Sequence, residues 1–340
     1  MQKGGLKFPS PFEKPRALSR GAFARRAGAV LAWCALPAAA ADYPVKTVRI
    51  YVAAAPGGGV DITARMLAPK LSESFRQQFV VENRAGASGN LGTEQAARAA
   101  PDGYVLLMGT IGTLAINPGL YRNLPFDTVR DFAPVVRAAD STNILTVHPS
   151  LPVRSVKELI AVARSRPGEL LYGSPQNGTA GHLAGELLNS MAGIRLVHIP
   201  YKGGAPAMID LIAGQLQLMF ATASTSVQFI QLGKLRALAV TTASRSRLVA
   251  DLPTMIESGL PGFEVNNWYG LVAPVKTPAD IVAVVNRHVR TALDTAGIRD
   301  AMLKQGLDPA GGTPEEFGDY IKSERAKWDK VIRTSGATAQ

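Results

Sequence analysis

The chain has 340 residues, of which 46% are apolar, 19% charged and 6% aromatic, a balance that excludes disorder and suffices for one large core or two ordinary ones. The net charge of +11 would suit a nucleic-acid partner, but no basic run interleaved with aromatics and no helix-turn-helix, RNP or zinc-finger spacing accompanies it, so none is expected. Cys34 is the single cysteine, and His148, His182, His198 and His288 stand without HExxH or other ligand spacing, which leaves no metal site, disulfide or cofactor to expect.

Residues 1–41 hold seven Lys/Arg and one Glu, so much of the excess charge belongs to a leader. Arg20, Arg25 and Arg26 precede AGAVLAWCALPAAAA, an apolar stretch ending on Ala39-Ala40-Ala41 before Asp42. That is the three-part layout of a secretory signal peptide, with cleavage after Ala41. About ten apolar residues are too few to span a bilayer, which needs roughly twenty. Trp33 stands where a lipoprotein would carry a small residue before its cysteine. The mature chain is expected to start at Asp42 and to be exported.

From Asp42 onward, short Val/Ile/Leu runs alternate with helical patterns. Strands are predicted at 48–53, 79–83, 104–109, 144–148, 170–174, 196–200, 216–221 and 235–241, with a further one at 263–274. Helical periodicity fills 60–75, 91–99, 155–165, 180–192 and 204–213. In the tail, Thr277-Pro278 opens one helix and Thr313-Pro314-Glu315-Glu316 another, the second with an N-cap and a proline in its first turn. The alternation predicts parallel sheets with helices on both faces. So many strands exceed one comfortable sheet, and two α/β lobes are the better reading.

The stretch AAAPGGGVD (53–61) joins the first strand to the first helix. A Walker loop would need GxxxxGK[ST], yet Val60 and Asp61 follow Gly59; a dinucleotide fingerprint would need glycine where Ile62 stands. Both nucleotide readings fail. Glycines at a helix start still expose unpaired N–H groups to an anion, and the macrodipole favours one there. Asp61 would repel an anion unless its carboxylate turned back onto backbone donors as a cap. A β-carbon at Gly58 is expected to obstruct the ligand or force a disfavoured φ. The bland alternative is a tight turn with no ligand.

Four more strand-to-helix junctions carry Gly with Asn, Thr or Ser: NRAGASGN (83–90), GTIGT (109–113), SPQNGTAGH (174–182) and YKGGAP (201–206). All lie at the carboxyl ends of predicted strands, the edge where open α/β sheets bind ligands. Ser174 lacks the G-x-S-x-G elbow, and no Ser-His-Asp or Cys-His arrangement is suggested. His182 either touches a ligand or caps a helix start, and Lys202 is by default a solvated cation. A site rich in neutral donors and poor in acid–base pairs suits a receptor better than an enzyme.

These blocks resemble the solute-binding receptors of tripartite tricarboxylate transporters, the Bug receptors. The landmarks are YPVKTVRI (43–50), APGGGVD (55–61), VVENRAGASGNLG (80–92), APDGYVLLMGT (100–110) and LAINPGLYRNLPFDTVRDFAPV (114–135), then NGTAGHLAGELL (177–188), VHIPYKGGAPAMIDLIAGQ (197–215), GKLRALAVT (233–241) and LPTMIESGLPGFEVNNWYGLVAP (252–274). The resemblance implies an α/β type II periplasmic binding protein fold, with two lobes on a double hinge and the ligand cleft between them. It implies lobe 1 from 42–140 and 241–340 and lobe 2 from 141–240, with hinge strands at ADSTNILTV (139–147) and LRALAVTTA (235–243).

The resemblance further implies a periplasmic, monomeric receptor that captures a small organic carboxylate and hands it to a membrane permease with large and small subunits. The alternative is a sensor feeding a membrane signalling system. The carboxylate would be held by backbone amides and bridging waters at Gly57, Gly58, Gly59, Thr110, Gly112 and Thr113. The second lobe would contribute Ser174, Gly178, Thr179, His182 and the Tyr201-Lys202-Gly203 turn. Two departures bear on specificity. Ala53-Ala54 replace the family's Pro-Phe, trimming bulk at the cleft mouth. Ala221 replaces a common acidic residue, which argues against a ligand amino group.

Overall fold

The computed structural model describes Met1 and residues 43–335; the signal peptide reading, with Cys34, lies outside the described residues. In chain order the elements are β1 (Val48–Val52), α1 (Gly59–Phe75), β2 (Phe79–Asn83), α2 (Asn90–Ala97), β3 (Val105–Thr110), α3 (Asn117–Leu120), β4 (Phe132–Ser141) and β5 (Asn143–Val147). Then follow α4 (Val156–Ser165), β6 (Leu171–Ser174), α5 (Ala180–Ala192), β7 (Val197–Pro200), α6 (Gly204–Ile212), β8 (Leu218–Thr222), α7 (Ala223–Gln231) and β9 (Arg236–Val240). The chain continues with β10 (Asn267–Pro274), α8 (Ala279–Asp294), α9 (Ala296–Lys304), β11 (Leu307–Gly311) and α10 (Pro314–Ser335).

Two sheets form, in the orders β11-β4-β10-β3-β1-β2 and β7-β6-β8-β5-β9. The expectation of parallel sheets holds only in part. Strands followed by a helical crossover do pair parallel: β1 with β2 and β3, β6 with β7 and β8. The strands that carry the chain between sheets run antiparallel, β10 against β3 and β4 and β5 against β8 and β9. β4 and β11 carry no strand signal in the sequence, because FAPVVRAADS and LDPAG lack clean alternation. The chain leaves the first sheet at Ser141, enters the second at Asn143, and returns after Val240 to resume at Asn267.

Helix starts follow their caps. Thr313 Oγ1 accepts from Glu316 N–H (3.2 Å) while the Glu316 carboxylate accepts from Thr313 N–H (2.8 Å), a reciprocal capping box. Ser155 Oγ accepts from Glu158 N–H (3.2 Å) at the start of α4. The last helix is anchored by a buried carboxylate, Glu324, whose Oε2 accepts from the indoles of Trp268 (3.1 Å) and Trp328 (3.2 Å). The all-buried β10 lies in the middle of the first sheet, so this end of the chain holds the strand whose first residues reach the site.

Candidate functional site

A cavity of about 70 Å³ is enclosed by loops from both sheets. Four helices begin on it: α1 at Gly58, Gly59 and Val60, α5 at Thr179 to Gly181, α6 at Gly203 and Gly204, and α7 at Thr222 and Thr225. Each helix therefore has its N-terminus, the positive end of its dipole, at that space, although Ala223 N–H of α7 already donates to Thr142 O (2.8 Å) and His182 N–H of α5 to Thr179 Oγ1 (3.4 Å). Among the described residues, no Lys, Arg, His, Asp or Glu lines the cavity. The arrangement can hold an anion by neutral donors alone.

The glycine turn shows how the sequence builds one wall. Gly57 takes a φ of +83°, a conformation that favours glycine. Its N–H donates to Asp61 Oδ2 at 2.9 Å, so Asp61 does turn back onto the turn that precedes it. Arg65 Nε (2.9 Å) and Asn83 Nδ2 (2.9 Å) complete the shell of this buried carboxylate. Burial pushes the Asp61 pKa up, but the hydrogen bonds from Arg65, Gly57 and Asn83 outweigh it and hold it below the ordinary value. The first backbone bond of the helix runs from Ile62 N–H to Gly58 O (2.9 Å), which leaves the N–H groups ahead of it as the orphan donors.

Of the two expectations for Gly58, the disfavoured φ does not hold. Its φ of −84° and ψ of 165° are open to any residue, and a β-carbon there would meet only Gly204 N, at 3.8 Å. Gly59 is the crowded position, since a β-carbon would strike the Tyr269 hydroxyl and come within 3.0 Å of Ser224 Oγ.

Thr110 and Thr113 lock one another: Thr110 N–H donates to Thr113 Oγ1 (3.0 Å) and Thr113 N–H to Thr110 Oγ1 (3.1 Å). Gly112 between them lets the Gly178 carbonyl approach, which a β-carbon would meet at 2.7 Å. The nearby run from Gly86 to Gly89 has positive φ throughout, including Ala87 (46°) and Ser88 (56°), a strain of order 1–3 kcal/mol per non-glycine residue. Buried Asn117 holds that run in place, donating to Ser88 O (3.0 Å) and Asn90 Oδ1 (2.7 Å).

Of the residues expected at the site, Gly58, Gly59, Thr110, Gly112, Thr113, Gly178, Thr179 and Gly203 are brought together around the cavity. The others stand behind it. Gly57 spends its N–H on Asp61. Ser174 is fully buried, donating to Gln176 O (2.9 Å) and paired with His198 Nε2 (2.6 Å); with its one proton given to Gln176, it accepts from an Nε2-protonated His198. His182 Nδ1 accepts from Gly178 N–H (3.1 Å) and so shapes the loop from below. Tyr201 donates to Asp210 (2.6 Å), and Lys202 lends only its carbonyl, to Ala55 N–H (3.3 Å). Ala221 is fully buried among apolar neighbours and is not one of the residues that line the cavity.

His182 and His198 stack at 4.2 Å. Burial lowers His182 to about 4; burial, and then the charge of His182, lowers His198 to about 3. Both are neutral near pH 7.

Sequence reasoning missed Gln176, Asn143, Asn267 and Tyr269, all of which line the cavity. Gln176 Nε2 donates to Ala53 O (3.4 Å), and Asn267 Nδ2 to Tyr269 Oη (3.1 Å). Asn143 and Asn267 sit at the ends of the strands that carry the chain between sheets, and the only signal was a polar residue heading an apolar run. Ala53 and Ala54 also line the cavity.

The sequence of residues 63–337 matches the family model described as tripartite tricarboxylate transporter family receptor. The chain belongs to this family. It is 36% identical to Protein BugT of Bordetella pertussis over 304 residues, covering 89% of this chain and 93% of that one. Among solved structures, it is similar to an R. palustris protein determined with adipate, at 39% identity and a TM-score of 0.85 over 87% of this chain and 99% of that one. It is also similar to MatC from Rhodopseudomonas palustris with bound malate, at 30% identity and a TM-score of 0.81 over 85% and 100% of the respective chains. The mixed α/β fold with two sheets is that of periplasmic binding proteins of this type, and these relatives are solute-binding receptors, not enzymes.

Proposed function

We propose that the protein is a periplasmic receptor that captures one small organic carboxylate and delivers it, as a monomer, to a membrane permease of large and small subunits. The observation that carries this reading is the cavity on which four helix N-termini open while, among the described residues, no charged side chain lines it. A carboxylate gains there from oriented N–H groups and dipoles, worth about 1.5–3 kcal/mol per charge-assisted hydrogen bond. Room for roughly five to seven waters, at about 10–15 Å³ each, suits a compact ligand of the size of the adipate and malate named for the two relatives.

In this reading, Gly58, Gly59, Thr110, Gly112, Thr113, Gly178, Thr179 and Gly203 face the ligand. Gly57, Ser174, His182, Tyr201 and Lys202 hold the loops from behind. The two sheets are the cores of two lobes, 42–140 with 241–340 and 141–240, which open about the crossings at 141–143 and 241–266. The bonds from Ala55 to Lys202 and from Gln176 to Ala53 would be made on closure.

A thermal-shift screen of the mature chain against mono-, di- and tricarboxylates tests the reading. At a hundredfold excess over Kd, binding adds about 2.7 kcal/mol, and the melting temperature should rise by roughly 4 °C. No shift with any carboxylate would refute it.

A further inference from the structure

Asn143 heads β5 and is 1% exposed, yet neither its Oδ1 nor its Nδ2 has a hydrogen-bond partner. It lines the cavity. Its backbone is fixed by the sheet: Thr241 N–H donates to its carbonyl (3.0 Å), and it stands opposite Thr222 on β8. Here a buried carboxamide with its donor and its acceptor both unused borders the ligand space. Either orientation of the amide offers one of each, whichever atom is the oxygen.

The ligand end that meets Asn143 must answer both atoms, because a buried polar atom left unpaired carries the full cost of its desolvation. A plain carboxylate only accepts. It would satisfy Nδ2 and leave Oδ1 dry. Three common groups place a donor beside an acceptor at the right spacing: a 2-hydroxycarboxylate, a carboxamide and a 2-aminocarboxylate. The last brings an ammonium charge into a cavity with, among the described residues, no acidic side chain on its lining and four positive helix ends at it. The first two remain.

We propose that Asn143 is the specificity-determining residue of the cleft, and that the ligand is a carboxylate whose other end carries a neutral donor beside an acceptor, as in a 2-hydroxycarboxylate or a carboxamide. This rests on the carboxylate-receptor reading above and adds the identity of the second end.

Titration calorimetry on the mature chain, stripped of bound ligand by unfolding and refolding, tests it with matched pairs: malate against succinate, 2-hydroxyglutarate against glutarate, and glutaramate against glutarate. In at least one pair, the member with the donor should bind about tenfold more tightly or better. Asn143→Leu keeps the volume and removes both polar atoms, so that ratio should fall to near one. Ratios near one in every pair for the parent, or a ratio that survives in Asn143→Leu, would overturn the assignment. Should the variant not fold, the parent's own ratios decide. Binding of succinate or glutarate without preference leaves the receptor reading standing and this inference fallen; no binding of any carboxylate refutes both.

Discussion

Gly59→Ala isolates the closest approach in the site. The added methyl would be driven onto the Tyr269 hydroxyl and set 3.2 Å from its Cζ and 3.0 Å from Ser224 Oγ. Tyr269 is buried and its hydroxyl accepts from Asn267 Nδ2 (3.1 Å), so the ring cannot swing away freely. Overpacking of this kind costs about 1–3 kcal/mol, and the better helix propensity of alanine returns under about 1 kcal/mol. Gly59→Ala should therefore lose roughly 1–2 kcal/mol in equilibrium urea unfolding followed by circular dichroism. Tyr269→Phe removes the atom that is struck and should itself cost about 1 kcal/mol for the lost hydrogen bond. The double variant should be less damaged than the two losses added, by about 1 kcal/mol or more. Gly58→Ala is the control. Its β-carbon has ordinary room and an ordinary backbone, so stability should hold, while a methyl placed in the cavity should weaken carboxylate binding by about tenfold. Additive losses in the double variant, or a Gly59→Ala as stable as the parent, would refute the packing argument.

Stability should depend on pH through the stacked histidines. Their folded pKa values lie below the ordinary 6.5, so the unfolded chain binds more protons, and stability is full above about pH 6.5 and falls as pH drops toward 4. His182 alone accounts for on the order of 3 kcal/mol; chemical denaturation at a series of pH values should show the decline, and a flat profile from 7 to 4 would contradict it. Asp61→Ala removes the acceptor shared by Gly57, Arg65 and Asn83 and should destabilise by about 2–3 kcal/mol in urea unfolding, with lower carboxylate affinity because the glycine turn loses its tether. Mass spectrometry of the exported protein should find Asp42 at the amino terminus; retention of residues 1–30 would contradict the leader reading.

Local chemistry made much of this protein legible in its sequence. Short β-branched runs, helical periodicity, and Thr-Pro-Glu-Glu caps depend on neighbours within a turn or two, and β1, α1, α4, α5 and α10 follow them closely. The glycine-bearing junctions could be picked out because a strand that ends at a helix start must turn tightly and expose N–H groups. What the sequence could not give is which partners cross the cleft. Strand direction in β5 and β10 follows from where the chain passes between sheets, a long-range choice that leaves no local signature. Gly58 and Gly59 are identical in sequence; only the folded approach of Tyr269, some 210 residues away along the chain, makes one crowded and the other free. Ser174 ends β6 and His182 lies in the first turn of α5, on either side of a loop that reaches the cavity, yet burial turns both inward, onto His198 and Gly178. Asn143 reads as the polar start of an apolar strand. Its significance comes from burial without a partner, which is decided when two sheets close around the same space.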